Sequence, residues 1–281
     1  MKTQQQAEIE HFLSSGNHDD IFFNIWPGNS VVERCINGEA ALRGALISAI
    51  FNRTEKASVF TCQDDSGLDV NFRTKFTPMV QGLFPQNEQT IILDMLEHSV
   101  VFLTPATIST IIEKTRWLST AWNLANIYLS SLGAMALTDE TPANVGLSNA
   151  ATCYVSTEYF RNDNPFDDYV VHEAAHIFHN CKREMIGLPA TRRREWLLEI
   201  DYAKRETFAY SCEAFSRILE LGKTRSERFR LWSEHTAGPM PPDKRVDADE
   251  YIDILREAVS ARNGWKRILE RCSPPKISRR G

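Results

Sequence analysis

The sequence predicts an α+β fold, mostly helical and with a small sheet, on three observations. Apolar residues recur at helical spacing over residues 38–51, 115–133, 193–221 and 246–272. One run, 149–160, alternates instead, with Ala151, Cys153 and Val155 against Thr152, Tyr154 and Ser156, which reads as a strand. Two short apolar runs, FFNIW at 22–26 and SVFTC at 58–62, add an α/β or α+β character to the N-terminal part.

Taken in order, residues 1–110 form an N-terminal α/β portion of unknown role, in which GEAALRGALISAIF (38–51) is the strongest helix. Gly82, Pro85 and Asn87 punctuate the chain before NEQTIILDMLEHSVVFL, which reads as a helix followed by an apolar stretch. Thr104 with Pro105 is expected to open the next helix by cap and first-turn preference. Residues 111–281 form the second domain, beginning with a largely apolar helix at 115–133 whose Trp117, Trp122 and Tyr128 read as core. Residues 134–148 read as a loop or weak strand connector, and the chain ends in C-terminal helices and a basic tail.

The chemistry concentrates in VHEAAHIFHN, residues 171–180. His172 and His176 are four apart, so on a helix they share a face at roughly 6 Å and can converge on one zinc ion. Glu173, one position on, leaves that face and is placed to take a proton from water, the general-base role of an HExxH motif. Val170, Val171, Ala174, Ala175, Ile177 and Phe178 make the rest of the helix apolar, and no Pro or Gly interrupts 168–186. Asn164, Pro165, Asp167 and Asp168 supply a helix start.

Two histidines leave a catalytic zinc one protein ligand short. His179 lies a further turn along the helix and reads as a neighbour rather than a ligand. A later helix, expected from about Arg193 to Leu221, carries Glu206 and Glu213 seven apart on one face, with the small Ala209 between them where two helices could close. About 10.5 Å of axis separates the two carboxylates, so only one of them can be the ligand.

Residues 118–221 resemble a zincin metallopeptidase core of the glutamate-ligand kind. The metzincin branch does not fit, because it would need Gly at position 179 and His at 182 where this chain has His179 and Lys182. Within that resemblance ETFA at 206–209 is similar to the Glu-x-x-Ala ligand segment, which implies Glu206 as third ligand, while Tyr210 departs from the acidic or Asn residue those families often carry next. The resemblance also implies an edge strand before the HExxH helix; the run at 149–160 is the candidate, with an interior position as the alternative.

The expectation is therefore a zinc-dependent metallopeptidase holding one Zn2+ per chain through His172, His176 and Glu206. Glu173 would act as base, Tyr210 or His235 as oxyanion donor, and a protein or peptide as substrate. The alternatives are a zincin-scaffold regulatory or binding protein without proteolysis, or a structural zinc protein. A net charge of −5 argues against nucleic acid as partner. No apolar run of membrane-spanning length occurs, and residues 1–20 do not read as a signal peptide. Six cysteines without CxxC pairing, including Cys181 just past the motif, suggest reduced thiols in a cytoplasmic protein.

Overall fold

The computed structural model describes residues 2–19, 22–56, 71–138, 146–149, 151–156, 164–192 and 194–275. Its helices are α1 (Gln4–Ser15), α2 (Val31–Lys56), α3 (Phe72–Leu83), α4 (Gln86–Glu97), α5 (Ile108–Lys114), α6 (Leu118–Ser131), α7 (Tyr169–Asn180), α8 (Arg205–Leu221), α9 (Arg225–Thr236), α10 (Ala248–Ser260) and α11 (Gly264–Cys272). The strands β1 (Val100–Leu103), β2 (Gly146–Asn149) and β3 (Thr152–Ser156) form one small sheet in the order β1-β3-β2. The architecture is α+β and mostly helical. Among the described residues no helix is long and apolar enough to cross a membrane.

The chain packs as two compact units, each assembled from more than one stretch of sequence. One comprises residues 1–66, 102–145 and 156–158; the other comprises 67–101, 146–155 and 159–281. Among its described residues the first unit's regular elements are helices, apart from the ends of β1 and β3. FFNI at 22–25 is a short 3-10 turn rather than a strand, and SVFTC at 58–62 lies outside the described residues. Phe12, Leu42, Leu46, Ile50, Ile108, Ile112 and Leu124 fill its core. Buried Arg43 donates from α2 to the Ile112 carbonyl at 2.5 Å, so α5 gains a charge-assisted partner for a helix-end carbonyl. The helix expected to open at Thr104 starts instead at Ile108. Thr107 Oγ1 donates to the Phe102 carbonyl at 2.6 Å and accepts from Thr104 N, holding 104–107 as a turn. Tyr128 is in the core as expected, whereas Trp117 is 56% exposed.

The second unit contains the motif helix. Asp168 caps α7, accepting from Val171 N at 3.3 Å, and Lys75 pairs with the same carboxylate at 2.6 Å. Every residue from Val170 to His179 is buried, because α8 packs on one side of α7 and β2 on another, while Phe84 meets Phe178 edge to face at 5.0 Å. Farther from the motif, α11 closes on α8 through Phe215 and Trp265, whose rings stand 4.9 Å apart. Gly264 is required there, since a Cβ would stand 2.2 Å from Phe215.

The structure sharpens the sequence reading at three places. Within the run at 149–160 the described strand is Thr152–Ser156, which takes the interior position offered as the alternative; the edge beside it is β2, which begins in the stretch read as a loop or weak strand connector and pairs antiparallel with Gly146 opposite Val155. The motif helix ends at Asn180, short of 186. The helix expected from Arg193 begins only at Arg205. The last two share a cause: Leu198 N donates to the Phe178 carbonyl at 2.8 Å, Leu197 N to the Cys181 carbonyl at 3.1 Å, and Arg183 N to the Glu195 carbonyl at 2.9 Å. Residues 194–198 form isolated bridges and bends instead of a helix because they satisfy backbone groups around the end of α7, a demand stronger than their helical propensity.

Arg183, 1% exposed, anchors the same segment, donating to both carboxylate oxygens of buried Glu88 at 2.6 and 3.2 Å and to the Pro189 carbonyl at 2.8 Å. Removing Arg183 leaves buried Glu88 with only the longer contact from half-exposed Arg194, at 3.3 Å, to offset its charge. Arg183→Met is expected to destabilise the second unit by about 3–5 kcal/mol, measured by denaturant unfolding; a loss within the range of a surface substitution would show that the pair is not a structural clamp.

Candidate metal centre

The side chains of His172, His176 and Glu206 meet between α7 and α8. The two histidine Nε2 atoms are 3.1 Å apart, and Glu206 Oε2 lies 3.4 Å from His176 Nε2 and 3.8 Å from His172 Nε2. One potential ligand atom from each residue falls within 4.8 Å of the others. Two nitrogens bound to one tetrahedral zinc at about 2.0–2.1 Å would stand roughly 3.3 Å apart, so the spacing suits such an ion.

The surrounding hydrogen bonds determine which ring nitrogens carry protons. His172 Nδ1–H donates to Glu213 Oε2 at 3.0 Å. His179 Nδ1–H donates to Asn180 Oδ1 at 3.2 Å, so His179 Nε2 is free to accept from His176 Nδ1–H at 3.0 Å. Burial, with His176 and Arg205 nearby, lowers the His179 pKa to about 3 and keeps that ring neutral. With both Nδ1 atoms committed as donors, the Nε2 lone pairs of His172 and His176 point toward one another. Such an arrangement needs a cation between them, either a proton or a metal ion.

Glu213, the rival third ligand, is thus the partner of His172 and does not face the second histidine. Its other oxygen, Oε1, accepts from Asp168 N at 2.6 Å, so one carboxylate braces both His172 and the start of α7. Burial raises the Glu213 pKa in spite of that bonding. Burial also opposes the ionised form of Glu206, but His176, His172 and Arg245 outweigh it and lower its pKa. The surroundings of the carboxylate facing the histidines thus favour its charged form.

Glu173 reaches β2, where a Cβ on Gly146 would stand 3.0 Å from Glu173 Cγ and 3.3 Å from Oε1. Among the described residues no donor binds its buried carboxylate. Tyr210 sets its ring edge-on to His172 at 4.4 Å; burial, then Glu213 and Glu206, raise its pKa and keep the phenol protonated. His235, the other proposed donor, is tied by Nε2 to the Tyr251 hydroxyl at 2.6 Å and packs on Phe166. Cys181 turns toward the backbone, its Sγ 3.6 Å from the Lys182 carbonyl.

Sequence reasoning missed two features. Gly146 makes room for Glu173 from a strand that carries little hydrophobic pattern. Arg245 Nη2 reaches Glu206 Oε1 at 3.0 Å from a proline-rich connection nearly forty positions later, and nothing in the local pattern points to it.

Two outcomes follow from this geometry. Glu213→Gln is expected to weaken zinc binding about 10- to 100-fold, the usual effect of altering a ligand's hydrogen-bond partner, as read by competition with a chromophoric chelator; unchanged affinity would remove Glu213 from that role. The second concerns the metal-free protein. Burial opposes charge on His172, but bonded Glu213, with Glu173 and Glu206 close by, raises its pKa from 6.5 to about 9. The folded state then binds this proton more tightly than the unfolded state, so the stability it contributes is complete below pH 6.5 and lost as the pH rises through about 9. Calorimetry in chelator should record a lower Tm at pH 9 than at pH 6.5, with the difference reduced in His172→Gln.

Comparison of the chain with protein-family models, with curated proteins and with solved structures finds no match.

Proposed function

We propose that the protein is a zinc-dependent metallopeptidase built on a zincin-like core, an endopeptidase acting on a protein or peptide substrate. The observation that carries this reading is the pair of Nε2 lone pairs converging with an ionised carboxylate while both Nδ1 atoms are held as donors. His172, His176 and Glu206 would hold one Zn2+. A bound zinc in such a site supplies Lewis acidity, lowering the pKa of water toward about 7 and polarising a carbonyl.

The chain's own residues then have separable tasks. Glu173, without a donor among the described residues, accepts a proton from the attacking water and returns it to the leaving amine when the C–N bond breaks. Tyr210, kept as a neutral phenol, donates to the oxygen that gains charge as the carbonyl is attacked. Glu213 and His179 hold the two imidazoles in the tautomer that leaves Nε2 available. A structural zinc site would close the fourth position with another Cys or His; among the described residues the group consists of three. Among the described residues Cys35, Cys153, Cys181, Cys212 and Cys272 are free thiols, which suits a reducing cytoplasmic setting.

The test is direct. Purified protein should contain about one zinc per chain, and Glu173→Gln should retain the metal while losing hydrolysis of a quenched-peptide library by two orders of magnitude or more. His172→Ala and His176→Ala should lose both metal and activity. Equal hydrolysis by Glu173→Gln would overturn the assigned mechanism, and wild-type protein that binds no zinc would overturn the metal centre.

A further inference from the structure

Glu206 stands in the first turn of α8 on a long side chain, and nothing in that helix prevents its carboxylate from turning or from offering both oxygens to one cation. The connection between α9 and α10 supplies the constraint. Arg245 Nη2 lies 3.0 Å from Glu206 Oε1, the oxygen that does not face the histidines. The guanidinium is itself held by Asp243: Arg245 Nε donates to Oδ1 at 2.9 Å and to Oδ2 at 3.1 Å, and Nη2 to Oδ2 at 2.5 Å. Asp243 is oriented in turn by its own tight turn, accepting from Arg245 N at 2.8 Å while its carbonyl accepts from Val246 N at 3.0 Å.

An isolated exposed ion pair contributes little, and Arg245 is 68% exposed. This pair differs in that one guanidinium bridges two carboxylates, one of them bidentate with it and the other only 15% exposed. Its consequence is local geometry more than global stability. With Oε1 occupied, Glu206 has only Oε2 to present to the histidines.

We propose that Arg245, aligned by Asp243, is a positioning residue that makes Glu206 a one-oxygen ligand and thereby preserves an open coordination position. The proposal rests on the reading of His172, His176 and Glu206 as a metal centre. Lys in place of Arg245 keeps the charge but not the planar fork that holds Asp243 and Glu206 together, so it should rescue only in part.

The experiment uses the full chain, metal-free, titrated with Zn2+ under chelator competition and separately with Co2+, whose visible absorption reports coordination number. Arg245→Met and Asp243→Asn are each expected to weaken zinc binding about 10-fold or more and to shift the cobalt spectrum toward higher coordination, with Arg245→Lys intermediate. The double variant Arg245→Met/Asp243→Asn should lose no more than Arg245→Met alone, because the two residues act in series. If wild-type protein binds both metals and Arg245→Met reproduces its affinity and spectrum, the positioning role falls while the metal centre stands. If wild-type protein binds neither metal, the centre falls and the positioning role with it.

Discussion

A single buried carboxylate, that of Glu213, connects most of what the second unit does. One oxygen receives the backbone N–H of Asp168, the N-cap of the motif helix, and the other receives Nδ1–H of His172. Each bond makes the other geometrically possible, since holding the start of α7 against α8 is what puts the imidazole within reach of the carboxylate. An ionised carboxylate at 4% exposure is costly unless its lone pairs are used, and here the backbone and the histidine use them. The cost is therefore borne by a site in which α7 cannot slide along α8 without stranding a charge.

Charge balance in this region follows the same logic. Glu173, Glu206, Glu213, Asp168 and Asp243 gather around two neutral-capable histidines, with Lys75 and Arg245 as the cations bonded to them. Lys75 answers Asp168 and Arg245 answers Asp243 and Glu206. Glu173 has neither a cation nor a donor among the described residues. Such an excess of negative charge around converging lone pairs is the electrostatic setting that a divalent cation would offset.

The tether from Arg194 to Leu198 shows how backbone accounting overrides local preference. Its residues carry a helical pattern continuous with α8, yet Leu197 and Leu198 donate to carbonyls at the end of α7 while Arg183 is locked to Glu88. This binds the C-terminus of the motif helix on one side as Glu213 binds its N-terminus on the other. The helix that carries the histidines is thus secured at both ends by residues remote from it in sequence, and the ring positions inherit that rigidity.

By itself the sequence determined what depends on short spacing. His172 and His176 share a face because they are four apart, Glu173 leaves that face because it is one apart, and α7 is buried because its remaining positions are apolar. The helices α2, α4, α6, α10 and α11 were legible for the same reason, as was the strand centred on Cys153 and Val155. Tertiary structure alone decided the rest. Glu206 and Glu213 have equivalent helical periodicity, and only the placement of α8 against α7 sends one to the ligand atoms and the other to His172 Nδ1. The order β1-β3-β2 puts the legible strand in the middle and the poorly patterned Gly146–Asn149 at the edge, since alternation reports which face is buried and not which neighbours a strand has. Asp243 and Arg245 join the site across nearly forty positions of chain, a distance over which no periodicity carries information and only packing brings charges together.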